Sequence, residues 1–385
     1  MVRAYITGFH QIIEKESNRS FFELIGEVTQ GALEMSGLSI DAIDGLGIVH
    51  TTAIDDKPIR VMLANQVANY LGINKLKYID VAEFGGASFN ALVYRAVKAV
   101  ERDIAKAVLV IGGGKSSVFR RRRFDENLVA RNYVSTHSVV EFLPTSDYAM
   151  VAMRYSHVYN ASDEGRAMIA VRERANARYN KDALFREPIS VADVLKSPMV
   201  SYPLRLLEVV MPVDGMSAFL IVNEDLAKKS RITPVSVLGY GEAHDPRPLF
   251  DRDDILDTVI PISAGEALNS ANVGLDDIDL FMLYDAYTIM VVLELEGIGL
   301  AKKGLGWRFA EEHDFSPSST YPINVNGGSL NIGQPAYMSG GVILTEALIQ
   351  LTGMAGERQV KGASKVLINA IGGILNHSTT LILGA

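Results

Sequence analysis

Apolar positions along the chain alternate between short runs with strand character and longer stretches with helical spacing, and one such arrangement occurs twice. "ALEMSGLSIDAID" begins at Ala32 and "ALNSANVGLDDID" at Ala267, and the offset of 235 residues between them also relates Asp41 to Asp276, Ile43 to Ile278 and Asp44 to Asp279. In each copy a helical pattern ends at Gly or Asn, residues that accept the left-handed turn closing a helix. An acidic turn then leads into an apolar strand, "GLGIVHT" in one copy and "LFMLYDAY" in the other. The chain therefore reads as two related halves.

The first half continues with a predicted helix over 59–72, the strand "KYIDVAEF", a helix over 87–102 and the strand "KAVLVIGGG". The second continues to a helix over about 339–352 and the strand "KVLINAIGG". Strands that alternate with helices imply an α/β fold with sheets covered on both faces. The helix over 87–102, "ASFNALVYRAVKAVER", is apolar around most of its circumference for three turns, which predicts burial between two layers. Between the halves lies a more highly charged stretch with an amphipathic pattern over 161–179, read as an inserted cap. "DGMSAFLIVNED" reads as a strand returning to the first half, and "TPVSVLGYGEAHD" as the opening strand of the second. The expected units are 1–114 with 207–231, an inserted domain over 115–206, and 232–385.

Composition narrows the chemistry. The 385 residues, 48% hydrophobic and 21% charged, can bury a large core. There is no cysteine, which excludes disulfides, thiolate metal sites and thiol nucleophiles together. A formal net charge of -8 disfavours nucleic acid as the main partner. The polar start and the lack of an apolar run near the roughly 18 residues of a membrane span point to a cytoplasmic protein without a signal peptide. No metal-ligand spacing is present, and no metal is expected. "GGGKSS" at 112–117 lacks the spacing of a P-loop or a dinucleotide fingerprint.

Three long blocks carry a family likeness: "REPISVADVLKSPMVSYPLRLLEVVMPVDGMSAFLIV" at 186–222, "YDAYTIMVVLELEGIGLAKKG" at 284–304 and "YPINVNGGSLNIGQPAYMSGG" at 321–341. The chain resembles the thiolase superfamily, and within it the thiolase-like proteins related to sterol carrier protein thiolases. The resemblance implies a duplicated five-layer α-β-α-β-α body with an inserted loop domain, a homodimer, and a coenzyme A thioester as substrate or ligand with no tightly bound cofactor. It also implies that a small OB-fold and zinc-ribbon protein is a candidate partner.

The same resemblance locates what is missing. The helix-initial cysteine of thiolases corresponds to Gly85 in "VAEFGGASFN", the histidine of a Gly-His-Pro element corresponds to Gln334, and a His or Asn-Glu element corresponds to Tyr284 in "LYDAY". The late cysteine falls in "NAIGGILNHS", beside Gly372 and Gly373. An acyl-cysteine route is thereby excluded by chemistry. Backbone amides near Gly85 and Gly373 could still form an oxyanion hole, although glycines there also suit close packing. The pattern is similar to thiolase-like aldolases that shorten steroid side chains with tyrosines, and Tyr284 matches the tyrosine of their "YDAF" block. The expected catalytic residues are Tyr284, Tyr337, His377 and Gln334; Gly85, Gly372 and Gly373 are expected to bind the thioester oxygen. Each has a structural alternative: Tyr284 and His377 as satisfied interior residues, Asp285 as a cap, Ser88 as a hydroxyl without a base. His10, His50 and His313 stand alone and read as structural. Arg120, Arg121, Arg122 and Arg123 could meet coenzyme A phosphates, an acidic partner or solvent. The leading function is carbon-carbon cleavage or formation beside a coenzyme A thioester. The alternatives are a noncatalytic acyl-coenzyme A binding or scaffold subunit and, more weakly, a cysteine-independent acyltransferase.

Overall fold

A computed structural model describes residues 2–51, 53–54, 62–117 and 144–385. The first sheet has the strand order β1 (Ala4–Glu14), β7, β4, β2 (Gly45–Val49), β3 (Tyr78–Ala82), where β4 spans Ala107–Lys115 and β7 Pro212–Asn223. A hairpin of β5 (Met199–Ser201) and β6 (Leu204–Arg205) stands apart from it. The second sheet has the order β8 (Ser236–His244), β12 (His377–Gly384), β11 (Lys365–Gly372), β9 (Leu280–Leu283). The short β10 (Gln334–Pro335) crosses over to pair in parallel with β7.

The two sheets repeat one pairing pattern. β1 is antiparallel to β7, β7 to β4, and β4 is parallel to β2; β8, β12, β11 and β9 follow the same sequence of orientations. The duplicated stretches coincide in detail, with one-turn helices at Ile40–Ala42 and Leu275–Asp277. Their preceding helices close on Gly37 at φ +67° and Asn272 at φ +54°. Where β3 flanks β2 in the first sheet, a single parallel bridge from Ile323 to Phe281 flanks β9 in the second.

Two helices, Ser88–Glu101 and Ser339–Leu351, lie against each other between the sheets. Strand alternation divides the core accordingly. Val108, Val110, Phe219 and Ile221 face this central layer, whereas Leu109, Ile111, Leu220 and Val222 face the outer helix Phe21–Ser36. The helix Ile260–Ala271 covers the outer face of the second sheet. The result is a mixed α/β body of five layers.

The predicted elements hold to within a residue or two, apart from the helix over 59–72, of which Leu63–Tyr70 lies within the described residues, and two strands of the second half: "LFMLYDAY" is strand only over Leu280–Leu283, and "TPVSVLGYGEAHD" only over Ser236–His244. The amphipathic pattern over 161–179 forms the helix Asp163–Ala177, and three of its charged residues are buried. Arg166, Glu173 and Arg174 are buried because each has a partner: Arg166 bonds Glu208 at 2.6 Å, Asn324 donates to Glu173 at 2.7 Å, and Arg174 donates to Asn331. Arg120–Arg123 lie outside the described residues. Among the described residues no helix is long and apolar enough to cross a membrane.

Candidate functional site

β3 ends at Ala82, and a single 3-10 turn, Gly85–Ala87, leads into the central helix. Among the described residues no base is bonded to Ser88; its Oγ accepts the Phe84 amide at 2.8 Å and so holds the turn. Gly85 adopts φ +54°, and a Cβ there would lie 3.0 Å from the Gly373 nitrogen and 3.2 Å from Gly372 Cα. A Cβ on Gly372 would fall 1.6 Å from the Phe84 carbonyl oxygen. The elbow and the end of β11 thus cross in backbone contact that side chains would block. Among the described residues no acceptor takes the amide of Gly85 or Gly373.

Tyr284 follows β9, and its ring lies over Gly86, where a Cβ would be 2.1 Å from Tyr284 Cε2. Gln334 Nε2 donates to the Tyr284 hydroxyl at 3.2 Å and to the Ala336 carbonyl at 2.8 Å, while Gln334 Oε1 is buried without a partner among the described residues. Burial pushes the Tyr284 phenol well above its ordinary value, so it stays protonated at neutral pH and can donate rather than abstract. Beneath it, Glu294 Oε1 accepts the Tyr284 amide at 3.0 Å, and Asp285 caps the helix Gly328–Ile332 by accepting the Ser329 and Leu330 amides at 2.9 and 2.8 Å. Glu173 and Glu294 are both driven well above the usual carboxylate range by burial, which favours their neutral forms.

Two further tyrosines complete the wall. Tyr148, on the helix Pro144–Tyr159, donates to the Gly373 carbonyl at 2.9 Å and stacks on Tyr287 with ring centroids 4.7 Å apart. The buried Arg252 donates to the carbonyls of Ile374 and Leu375 at 3.0 and 3.4 Å, fixing the turn after Gly373.

His377 opens β12 opposite Gly372 and His244. Its Nδ1 is 2.8 Å from Nδ1 of His244, whose Nε2 is 2.7 Å from Glu242 Oε1. Phe84 of the elbow packs on both rings, with centroids 4.9 Å from His244 and 5.4 Å from His377. Burial, and next the His244 imidazole, hold His377 below its ordinary value.

The fold therefore brings Gly85, Gly372, Gly373, Tyr284, Gln334 and His377 to one seam at the amino end of the central helix. Tyr337 lies on the turn after Ala336 and is 42% exposed. Tyr148, Tyr287, Arg252, His244 and Glu242 were missed by the sequence reading. Only the alternation of Glu242 and His244 in "GYGEAHD", which puts both on one strand face, could have drawn attention to them. His50 sits 3.1 Å from Glu83, and His313 packs among Phe309 and Tyr321. The "GGGKSS" segment is structural: Lys115 donates to the carbonyls of Ser17 and Arg19, and Asp214 accepts the amide and hydroxyl of Ser117. Among the described residues no group of three or more His, Asp or Glu is placed to hold a metal.

The family model described as "Thiolase C-terminal domain-like" matches residues 241–385. The solved "Ltp2-ChsH2(DUF35) aldolase" superposes with a TM-score of 0.86 at 27% identity, covering 100% of this chain and 98% of that one. Residues 241–385 thus belong to that thiolase family, and the chain as a whole is similar to SCP2-thiolase-like proteins of the thiolase superfamily. Within the superfamily it is 28% identical over 388 residues to the 17-hydroxy-3-oxo-4-pregnene-20-carboxyl-CoA lyase of Mycobacterium tuberculosis, covering 96% of each chain. It is also 34% identical to the acetyl-CoA acetyltransferase of Methanothermobacter thermautotrophicus, over 227 residues that span 59% of either chain. Likeness along nearly the whole chain extends to a lyase and an aldolase and also to the benzoylsuccinyl-CoA thiolase subunit BbsB of Thauera aromatica, 26% identical over 354 residues that span 91% of this chain and 90% of that one.

Proposed function

We propose that this thiolase-like protein cleaves or forms a carbon-carbon bond beside a coenzyme A thioester, by a retro-aldol route without an acyl-enzyme. The observation that carries the reading is Tyr284: a neutral phenol pinned over the glycine elbow by Gln334, in a chain that has no thiol. The amides of Gly85 and Gly373 would receive the negative charge that develops on the thioester oxygen. Tyr284 would supply a proton to that oxygen or to the enolate carbon. Gln334 is an amide and cannot take a proton, so its role is to orient the phenol. The named partner in the similar aldolase complex supports a second subunit of the DUF35 type for this chain. The basic run Arg120–Arg123 remains the proposed contact for coenzyme A phosphates, and a homodimer the proposed assembly.

The test is turnover of β-hydroxyacyl-coenzyme A thioesters by the full chain, alone and co-expressed with a DUF35-type subunit, with products identified by mass spectrometry. Tyr284→Phe keeps the ring against Gly86, and Gln334 keeps its bond to Ala336, so the fold should be retained. Loss of the phenolic proton should lower kcat by about 100-fold or more. Unchanged turnover in Tyr284→Phe would remove the tyrosine from the mechanism. Binding of thioesters without any turnover would favour the scaffold reading.

A further inference from the structure

A retro-aldol step needs a base for the β-hydroxyl proton, and Tyr284, held protonated, does not provide one. We infer that His377 is this base, acting through Nε2, and that His244 and Glu242 are positioning residues that fix its tautomer through a Glu242–His244–His377 relay. The inference rests on the proposed reaction and adds the residue that performs its first step.

The tautomers follow from the hydrogen bonds in order. Glu242 accepts from Arg95 at 3.0 Å, from the Tyr240 hydroxyl and from His244. Burial raises its carboxyl, but the bonds from Tyr240 and His244 and the Arg95 charge outweigh that and keep it ionised. A carboxylate only accepts, so His244 carries its proton on Nε2. A neutral His244 then presents Nδ1 as an acceptor, and His377, 2.8 Å away, must donate from its own Nδ1. The Nε2 of His377 is consequently left unprotonated, with a lone pair available as a base.

Placement agrees with the role. Thr379, two residues along β12 from His377, bonds the Ala87 carbonyl, and Glu242 bonds Arg95, so His377, His244 and Glu242 share the sheet face turned toward the central helix. They meet it at its amino end, where Phe84 packs against both imidazoles and Gly372 is the strand partner of His377. The charged and titratable groups around His377 are His244, Glu242 and Asp245 from β8 and the turn after it, Arg252, Arg95 of the central helix, and Tyr148, bonded to Gly373.

In the step, His377 Nε2 takes the β-hydroxyl proton and the oxygen pair becomes the new C=O π bond. The Cα–Cβ bond breaks, and its electrons pass into the thioester as an enolate. Cα then receives one proton, either directly from the imidazolium or from Tyr284, which the imidazolium's proton restores, giving a shortened acyl-coenzyme A and a free carbonyl compound. The imidazolium stays bonded to His244, with Glu242 balancing its charge.

The first measurement needs no turnover: nitrogen chemical shifts of 15N-histidine-labelled full chain at pH 8, assigned with His377→Gln and His244→Phe. The expected result is Nδ1–H on His377 and Nε2–H on His244, with the His377 proton redistributing between its nitrogens in His244→Phe. A His377 protonated on Nε2 in the unsubstituted protein overturns the proposal. If His244→Phe does not fold, Glu242→Gln serves instead, because its amide can donate to His244 and so permits the reversed relay. With β-hydroxyacyl thioesters, His377→Gln should lose about 100-fold or more in kcat, with KM little changed. His244→Phe should lose about 10-fold, with a displaced acidic limb of the pH profile. Turnover retained in His377→Gln refutes the base assignment while leaving the aldol reading intact. Absence of turnover in the unsubstituted chain, both alone and with the DUF35-type subunit, refutes the aldol reading, and the nitrogen shifts still decide the relay.

Discussion

Gly86→Ala tests the contact on which the site is built. A Cβ at Gly86 would stand 2.1 Å from Tyr284 Cε2, 2.4 Å from Tyr284 Cζ and 2.5 Å from the Ile371 carbonyl oxygen. One obstacle is a buried ring held by Gln334; the other is strand backbone, which cannot swing away. Overpacking in such a place costs about 1–3 kcal/mol, and two rigid obstacles put this substitution near 3 kcal/mol. Guanidinium unfolding followed by circular dichroism and by tyrosine fluorescence reads the shift in midpoint. The companion variant Tyr284→Ala removes the ring, so the double variant should face only the Ile371 carbonyl. The cycle should then return a coupling of about 1–2 kcal/mol in the relieving direction. A Gly86→Ala loss within about 0.5 kcal/mol, the level of an ordinary surface change, would refute the packing argument and with it the placement of Tyr284.

Other consequences concern the missing thiol and the buried acids. Gly85→Cys puts the only thiol of the chain at φ +54°, a left-handed conformation that should cost about 1–2 kcal/mol. Its alkylation rate against pH, read by mass spectrometry, should show a midpoint below the ordinary value of about 8.5, because the amino end of a helix favours the thiolate; a midpoint above it would refute the electrostatic reading of the elbow. Glu294 is raised by burial, so its neutral form is favoured in the fold and its contribution to stability is fully present below the unfolded carboxyl value and is lost as pH rises toward its folded value. Glu294→Gln keeps an acceptor for the Tyr284 amide and removes this slope, so its stability relative to the unsubstituted protein should rise between pH 5 and pH 8; a pH-independent difference would show that Glu294 is ionised in the fold.

The sequence by itself determined the periodic features of this protein. The repeat at 235 residues, the strands, the all-round apolar central helix and the glycine elbow could be read because each depends on local spacing or on a residue type with a local backbone meaning. The absence of cysteine, a property of composition alone, removes acyl-thiol chemistry whatever the fold. What only the tertiary structure decided is which distant side chains share a surface. Glu242 and His244 lie 133 or more residues before His377, and no local pattern joins them; an antiparallel register between β8 and β12 does. The helix Asp163–Ala177 could be read as amphipathic, but such spacing records polarity and not partners, and the buried Arg166 and Glu173 find theirs at Glu208 and Asn324. Nor could the burial of Tyr284 be read from its neighbours in the chain: beside Gly86 the phenol is withdrawn from water, which raises it further above its ordinary value and removes it as a base.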